Sequence, residues 1–206
     1  MINQKKSRAF WFGASDTKYI MSNWNTSTFM EWWQTKIGVK SNNFKNIYTI
    51  SGTYKEHSLA NHYAETYNTK VVLDRQVKLP KYRLRVNLDC ETKNKIVEIK
   101  THKYNEKGWK MPKEYEWQVW VQMFATKKKS ACIYAYAMKD NDYLNFWLPI
   151  DTERITEVEI EYNQEWVENQ YLPRLVYLCK CLKKKKTPKT IEYTLFLENY
   201  LKEKMK

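Results

Sequence analysis

One stretch of the chain, positions 82–89, alternates strictly between apolar and polar residues. Its apolar positions are Tyr82, Leu84, Val86 and Leu88, and its polar positions are Arg83, Arg85, Asn87 and Asp89. Successive side chains of a strand point to opposite faces, so this pattern predicts a strand with one buried face. A polar run over 91–95 separates it from a second strand-like segment, 96–100. The two segments therefore predict a β-hairpin.

Two helical patterns precede this hairpin. Thr28 and Glu31 have the spacing of a capping box and Gly38 follows as a stop, which predicts a helix over 28–37. A second helix is predicted to begin after Gly52, where spaced residues form one stripe. The residues of that stripe are Glu56, Leu59, Ala60, Tyr63 and Tyr67.

The remaining predicted elements alternate in type. Helices are predicted over 113–126, 164–182 and 190–202, and strands over 131–138 and 143–148. This order indicates a mixed α/β (α+β) layer architecture. With four glycines and five prolines, no linker divides the chain. We expect one domain over 1–206, with C-terminal helices of about 164–206 packed on the core.

The chain is strongly basic, with 36 Lys and Arg residues against 23 Asp and Glu residues and a net charge of +13. This excess favours a polyanionic partner, and nucleic acid before a membrane surface. No CxxC pattern occurs among the four cysteines, which argues against a zinc finger or a disulfide scaffold. The longest apolar run, 131–138, is far shorter than the roughly 18 residues of a membrane span. We expect a cytoplasmic protein with reduced thiols.

The predicted hairpin carries an acidic residue, a turn and then the sequence Glu-Ile-Lys. Hydrolysis of a phosphodiester needs a hard divalent cation at the phosphate and an activated water. Asp89 and Glu98 end neighbouring strands and can hold such a cation, with the backbone carbonyl of Ile99 as a third oxygen ligand. Lys100, on the same face as Glu98, can orient or deprotonate the water, and Glu56 adds a candidate ligand from the preceding helix. In the alternative interpretation, Asp89 is a turn residue and the other two charges lie on a solvated strand face.

A series of short motifs runs along the chain around this array. The segments are Phe-Gly-Ala-Ser-Asp at 12–16, Ser-Asn-Trp-Asn-Thr-Ser at 22–27, Gly-Thr-Tyr-Lys-Glu at 52–56, Asn-Leu-Asp at 87–89, Val-Glu-Ile-Lys-Thr at 97–101 and Tyr-Glu-Trp-Gln-Val-Trp-Val-Gln-Met at 115–123. In this order they resemble the motifs of the YqaJ-type viral recombinase exonucleases, the lambda exonuclease-like family of the PD-(D/E)XK nuclease superfamily. The resemblance covers about residues 8–185. It implies a PD-(D/E)XK restriction-endonuclease-like core, with a central mixed β-sheet flanked by helices.

The resemblance implies a catalytic group of three carboxylates and a lysine. Glu56, Asp89 and Glu98 are then the metal ligands, and Lys100 is the catalytic lysine. The implied cofactor is Mg2+, with Mn2+ as a substitute and one or two ions in the site.

The resemblance also implies a residue beside the metal and a pocket for the end of the substrate. Gln118 is the implied glutamine beside the site, and Gln122, one turn later on the same helix face, is its rival for this role. Arg8 and Ser15 are the residues implied to bind the 5′-phosphate of a DNA end.

The implied activity is that of a phage-type DNA exonuclease that digests linear double-stranded DNA in the 5′-to-3′ direction. The implied partners are duplex DNA with free ends, a single-strand annealing protein and copies of the same chain, because the family assembles as ring trimers. The resemblance further implies a phage or prophage protein that acts in the bacterial cytoplasm. Two alternatives stay open: a DNA endonuclease on the same fold and a non-catalytic DNA-binding protein.

Some basic and aromatic residues have both a structural and a functional interpretation. The lysine runs 127–129 and 183–186 can follow a phosphate backbone, or they can be solvated helix ends. Trp24, Trp32 and Trp33 can stack on DNA ends, although the pattern favours a place in the core.

Overall fold

A computed structural model of the chain describes residues 9–40, 47–145 and 147–204. Its helices are α1 Thr17–Ile20, α2 Ser27–Lys36, α3 Ile47–Thr66, α4 Lys113–Thr126, α5 Asp140–Leu144, α6 Gln164–Trp166, α7 Leu172–Lys183 and α8 Thr190–Lys204. Its strands are β1 Val72–Leu79, β2 Leu84–Glu91, β3 Lys95–Lys103, β4 Ser130–Met138 and β5 Ile155–Ile160. None of the described helices is both long and apolar enough to cross a membrane.

The strands form one mixed sheet in the order β1-β2-β3-β4-β5. Neighbouring strands are antiparallel except for β3 and β4, which are parallel. A parallel pair needs a crossover connection, and α4 supplies it between these two strands. The expected fold class, a mixed α/β sheet flanked by helices, is confirmed.

The predicted hairpin is confirmed as β2 and β3, although β2 begins at Leu84 rather than at Tyr82. The paired residues of this hairpin are Cys90 with Val97 and Glu91 with Ile96. Both strands continue beyond these pairs without pairing to each other, so they part towards the C-terminal end of β3. The separation of the two strands opens space beside the hairpin.

The N-terminal segment lies against β2 through backbone hydrogen bonds. The N–H of Phe12 donates to the carbonyl of Arg83 and the N–H of Arg85 donates to the carbonyl of Phe12, each at 2.8 Å. Phe12 is fully buried and forms a parallel bridge with Leu84. This bridge places the following turn, Ala14–Asp16, beside the separated strands.

Each face of the sheet packs on a different set of helices. Leu59, Ala60 and Tyr63 of α3 pack with Val97 and Ile99 of β3 on one face. The opposite face packs against a larger cluster from the N-terminal segment, α2, α4 and α7, whose buried members include Phe29, Trp33, Val119, Met123 and Leu178. Adjacent residues of β3 therefore face different helices, as the predicted alternation requires.

The C-terminal helices pack on the N-terminal segment. The predicted helix over 164–182 is a helical run in which a π-helical turn, Val167–Tyr171, joins α6 to α7. The guanidinium of Arg174 donates to the carbonyls of Ile20 and Ser22 at 3.2 Å each. These contacts connect residues that are far apart in the sequence.

Two predicted helix starts are wrong. The helix that was expected after Gly52 begins earlier, because Gly52 lies inside α3. A Cβ at Gly52 would lie 3.2 Å from Thr101 Oγ1, so glycine allows α3 to approach β3 closely. The N-cap of α2 is Thr26, whose hydroxyl accepts a hydrogen bond from Phe29 N–H at 3.2 Å, and not Thr28.

The strand predictions also differ from the structure outside the hairpin. The predicted strand over 143–148 is wrong, because α5 ends within this range and no strand includes its described residues. The first and last strands of the sheet, β1 and β5, were not predicted. Both carry charged residues between their apolar positions, including Asp74, Arg75, Glu157 and Glu159. Edge strands often have this composition, which hides the alternation on which strand prediction depends.

Candidate active site

A cleft of about 190 Å³ lies where β2 and β3 part. The N-terminal turn, β2, β3, α3 and α4 all contribute residues to its wall. The predicted site residues that line the cleft are Ser15, Glu56, Asp89, Glu98, Lys100 and Gln118. The structure thus brings together residues that are spread over about half of the chain. Arg8 lies outside the described residues.

Glu98 is the buried centre of a hydrogen-bond network. One of its oxygens, Oε1, accepts from Lys100 Nζ and from Gln118 Nε2, each at 2.5 Å. The other oxygen, Oε2, accepts from Gln122 Nε2 at 2.5 Å. The Glu98 residue is only 1% exposed, so the solvated strand face of the alternative interpretation is excluded.

The two glutamines of α4 support different sides of this carboxylate. Gln118 lines the cleft, and its side-chain oxygen also accepts from Lys100 Nζ at 3.3 Å. Gln122 is fully buried behind Glu98. Gln118 is therefore the glutamine in a position to contact a molecule in the cleft, and Gln122 holds the carboxylate in place.

Asp89 and Glu56 add two carboxyl groups beside Glu98. Asp89 Oδ2 accepts a hydrogen bond from the N–H of Ile99 at 3.1 Å. Burial and the neighbouring Glu98 raise the pKa of Asp89 well above its usual value. The same two causes raise the pKa of Glu56 to about 7. Burial opposes the charge of Lys100, yet Glu98 and Asp89 together raise its pKa above the usual value.

This distribution of charge suits a bound cation. Glu56, Asp89 and Glu98 are grouped in the cleft, and Lys100 forms its ion pair with Glu98. Burial and repulsion from Glu98 raise the pKa values of Asp89 and Glu56, and a bound cation would oppose both effects. Carboxylate oxygens are the ligands that small hard cations prefer. Glu56, Asp89 and Glu98 could therefore hold a divalent metal ion.

A second charged network also lines the cleft. The carboxylate of Asp16 accepts from Gly13 N–H at 2.6 Å and from Trp32 Nε1 at 2.8 Å, and it pairs with Lys36 Nζ. Lys36 also donates to the carbonyl of Trp11 at 3.1 Å, although this lysine is only 4% exposed. We name these residues the Asp16–Lys36 clamp, because they join α2 to the turn that carries Ser15.

Sequence reasoning missed several residues of the cleft wall. Lys36 belongs to a helix that was predicted from its end signals, and nothing in its local sequence indicates a partner in Asp16. Arg85 and Asn87 line the cleft from the polar face of β2. The strict alternation over 82–89 puts Arg85 and Asn87 on the same strand face as Asp89. This shared face is the sequence signal that could have identified the two residues.

Two other groups of candidate residues have structural roles. Trp24, Trp32 and Trp33 are all buried in the core, at 4%, 7% and 1% exposure. Lys128, in the middle of the lysine run 127–129, forms a 2.7 Å ion pair with the buried Glu91. The core interpretation of the tryptophans is therefore confirmed, and only part of the lysine run is exposed.

A further metal-like cluster lies on the α3 side of the sheet. Ligand atoms of Cys132, Glu157 and Glu159 lie within 4.8 Å of one another. Lys95 Nζ lies 3.1 Å from Glu157 Oε1 and also pairs with Glu159. One lysine thus contacts both carboxylates of this cluster, whereas Lys100 of the cleft forms its ion pair with Glu98.

The fold is similar to that of solved exonuclease structures. An alkaline exonuclease from Laribacter hongkongensis, LHK-Exo, matches with a TM-score of 0.64 at 18% identity, over 96% of this chain and 94% of that one. The structure of LHK-Exo in complex with dAMP matches over the same shares with a TM-score of 0.68. A phage-related exonuclease from Haemophilus somnus matches with a TM-score of 0.59 at 14% identity, over 84% of this chain and 92% of that one. These similarities establish a shared fold.

The sequence itself identifies the family. No curated protein shows significant sequence similarity to the chain. Residues 4–129, more than half of the chain, match the family model of the YqaJ-like viral recombinase domain. This match includes the N-terminal turn, both strands of the hairpin and α4, which together build most of the cleft. The chain therefore belongs to the family of YqaJ-like viral recombinase domains.

Proposed function

We propose that this protein is a Mg2+-dependent DNA exonuclease of the phage recombination type, which digests one strand of linear duplex DNA from its 5′ end. The observation that carries the proposal is the buried network of Glu98, Lys100 and Gln118 beside Asp89 and Glu56, in the fold of a YqaJ-like domain. The exonuclease structures that share this fold support the same class of reaction.

Glu56, Asp89 and Glu98 are the proposed metal ligands, together with the backbone carbonyl of Ile99. Their oxygen donors favour Mg2+, with Mn2+ as a substitute and one or two ions in the site. A metal ion held by these residues would supply positive charge at the scissile phosphate and favour ionisation of the attacking water. The raised pKa values of Asp89 and Glu56 support this assignment, because these groups need a cation to remain ionised together.

Lys100 and Gln118 are the proposed polar groups beside the reacting phosphate. Glu98 and Gln118 hold the Lys100 ammonium in one position, and its raised pKa keeps it protonated at neutral pH. A protonated lysine can orient the attacking water and stabilise the charge that develops on the phosphate. The amide group of Gln118 can donate or accept a hydrogen bond beside the same phosphate.

The N-terminal turn is the proposed binding site for the 5′-phosphate. Ser15 is exposed in the cleft and is held there by the Asp16–Lys36 clamp. Arg8 is the proposed guanidinium partner of the phosphate, because arginine binds a dianion with two parallel hydrogen bonds. A pocket for the terminal phosphate would give the enzyme its 5′-to-3′ direction.

The proposed biological context is the one that the family resemblance implies. We propose that the substrate is double-stranded DNA with free ends, and that a single-strand annealing protein covers the exposed 3′ strand. The proposed assembly is a ring of three copies around DNA, formed by a phage or prophage protein in the bacterial cytoplasm. The whole chain, including α7 and α8, forms one nuclease domain in this proposal.

A nuclease assay with four substrates, three linear duplexes and a closed circle, tests the proposal. Linear duplexes carrying the 5′-phosphate at one end, at the other end or at neither are incubated with the protein and Mg2+, next to a covalently closed circle. We expect digestion to begin at the phosphorylated end and the circle to remain intact. Cleavage of the circle would support the endonuclease alternative, and no cleavage of any substrate would support a non-catalytic DNA-binding protein.

A further inference from the structure

Three aromatic side chains stand next to the cleft without lining it. The His102 imidazole is nearly parallel to the Trp109 indole, with 4.7 Å between ring centroids and 8° between planes. Tyr115 follows at 6.4 Å from Trp109. Lys100 Nζ lies 5.0 Å from the centre of the Tyr115 ring, which connects the group directly to the cleft. We name these three residues the aromatic group.

The aromatic group continues the same two elements that build the cleft. His102 follows Lys100 on the same face of β3, about 7 Å along the strand. Tyr115 lies one turn before Gln118 on α4. A strand of DNA that crosses the cleft along β3 therefore reaches these rings next.

The surroundings of the aromatic group are basic and accessible. All three rings are half-buried rather than enclosed in the core. Exposed lysines outnumber exposed glutamates in the segment 103–114, which connects β3 to the first turn of α4. The lysines are Lys103, Lys107, Lys110 and Lys113, and the glutamates are Glu106 and Glu114. Basic residues next to aromatic rings are typical of surfaces that bind single-stranded nucleic acid.

We infer that the aromatic group is a stacking site for a base of the DNA strand next to the scissile phosphate, with Trp109 as the main contact. The inference rests on the proposed function, because it takes DNA as the molecule in the cleft. Stacking of this kind tolerates any base, since every base has an aromatic face. The ligand is therefore an unpaired nucleobase, and the site would hold the strand without reading its sequence.

DNA binding is the measurement that tests this inference. A 5′-phosphorylated duplex is prepared with one base removed at each of the first six positions in turn, and its dissociation constant is measured without divalent cations at low salt. We expect removal of one base, at one or two adjacent positions, to weaken binding by the wild-type protein about fivefold or more. Trp109→Ala should weaken binding of intact DNA by a similar factor. Its dissociation constant should then be the same for intact DNA and for DNA that lacks the base at those positions.

Two variants control for general damage to the protein. Trp109→Phe retains an aromatic ring and should keep the wild-type dependence on position. Trp147→Ala removes an indole that is 77% exposed and lies outside the aromatic group, and it should also keep that dependence. A wild-type protein with equal affinity for all abasic positions would overturn the inference, as would a Trp109→Ala variant with the wild-type dependence.

A fluorescence measurement on the wild-type protein gives a test that needs no folded variant. With 2-aminopurine at the sensitive position and an abasic residue on each side of it, no neighbouring base quenches the probe in free DNA. Stacking on Trp109 should then quench the fluorescence when the DNA binds, and an unchanged or increased signal would contradict the inference. The nuclease assay in Mg2+ is independent of both experiments. If the protein cleaved DNA but its binding did not depend on the abasic position, only the stacking site would be rejected. If binding depended on the abasic position but no DNA was cleaved, only the exonuclease activity would be rejected.

Discussion

At the scale of single residues, the carboxyl groups of the cleft receive unequal support from the protein. Glu98 accepts hydrogen bonds from Lys100, Gln118 and Gln122. Asp89 accepts a hydrogen bond from a backbone N–H, and burial raises its pKa. The protein therefore stabilises the charge of Glu98 and leaves that of Asp89 poorly compensated. Substitutions at these two positions should differ in their effect on stability.

Asp89→Asn should abolish activity without loss of stability. Loss of a proposed metal ligand should lower the cleavage rate at least about a hundredfold. Mutation of a residue that only supports a metal ligand already lowers metal affinity or activity by about 10- to 100-fold. The free energy of unfolding without metal should be unchanged or about 1 kcal/mol higher, since a poorly compensated buried carboxyl group is removed. Cleavage kinetics and urea unfolding measure the two effects. Near-normal cleavage in Mg2+ would show that the proposed ligand set is wrong.

Glu98→Ala should lose both activity and stability. Lys100, Gln118 and Gln122 would be left without their common acceptor, and removal of one partner from a buried ion pair costs about 3 kcal/mol. Glu98→Gln keeps one side-chain oxygen as acceptor and should lose less stability while remaining inactive. Urea unfolding of the two variants provides the comparison. Equal stability of both variants and the wild type would contradict the role of the network in holding the fold.

At the scale of elements, two buried ion pairs connect segments that the sheet does not connect. The Asp16–Lys36 clamp joins α2 to the turn that carries Ser15. A second pair joins α5 to the segment before β5, where Arg154 Nη1 lies 2.5 Å from Asp142 Oδ2. Asp142 is only 2% exposed. Each pair fixes a short segment that has little regular structure of its own.

Lys36→Met should loosen the turn that carries Ser15. Asp16 would remain as a half-buried carboxylate without its ammonium partner, which should lower the free energy of unfolding by about 3 kcal/mol. The ratio of cleavage rates on 5′-phosphorylated and 5′-hydroxyl duplexes should also fall, because Ser15 loses its fixed position. Lys40→Met, at an exposed position just beyond α2, serves as the matched control. If the rate fell on both substrates and the ratio stayed the same, the clamp would contribute to stability but not to binding of the 5′-phosphate.

Asp142 should contribute stability that depends on pH. Burial opposes ionisation of this carboxyl group, but hydrogen bonds from Arg154 and from the N–H of Lys139 outweigh it and lower its pKa. Because the pKa in the folded state lies below the unfolded value of about 3.9, the contribution is complete at neutral pH and is lost as pH falls below about 4. Asp142→Asn should therefore be less stable than the wild type by about 3 kcal/mol at pH 7. This difference should shrink at pH 3 in urea unfolding, and a constant difference would reject the ionised pair.

At the scale of the whole molecule, the net charge of +13 should make DNA binding strongly dependent on salt. The lysine run 127–129 shows that some basic residues are exposed to solvent and others form ion pairs within the protein. Lys127 and Lys129 are exposed, whereas Lys128 pairs with Glu91. Only exposed lysines are available to neutralise phosphates. The net charge alone therefore overstates the number of DNA contacts.

Lys127→Gln combined with Lys129→Gln should reduce the salt dependence of DNA binding. If both lysines contact duplex phosphates, the slope of log affinity against log salt should fall by about 2. Lys128→Gln should leave the slope unchanged and lower the free energy of unfolding by about 1 kcal/mol, because it breaks the ion pair with Glu91. Titrations of DNA at several salt concentrations give the slopes. An unchanged slope in the double variant would assign the run to a solvated helix end.

The sequence by itself determined the parts of this protein that depend on local pattern. The alternating strand, which begins at Leu84, the hairpin that it forms with Lys95–Lys103 and the helix Lys113–Thr126 are all present in the structure. Alternation and helical periodicity are properties of neighbouring residues, so they survive in a single sequence. The same pattern placed Glu98 and Lys100 on one strand face, and the structure has them on that face, in contact with each other.

Only the tertiary structure decided how these local elements form a cleft. The strands β2 and β3 part after two residue pairs, and this opening admits Glu56 from α3 on one side and the Ala14–Asp16 turn on the other. Lys36, at the end of α2, pairs with Asp16 of the N-terminal turn, and no local sequence pattern indicates this contact. The edge strands β1 and β5 exist because the sheet offers them hydrogen-bond partners, although their own residues are mixed in polarity. Contacts between distant residues depend on the packing of whole elements, and a single sequence carries little record of that packing.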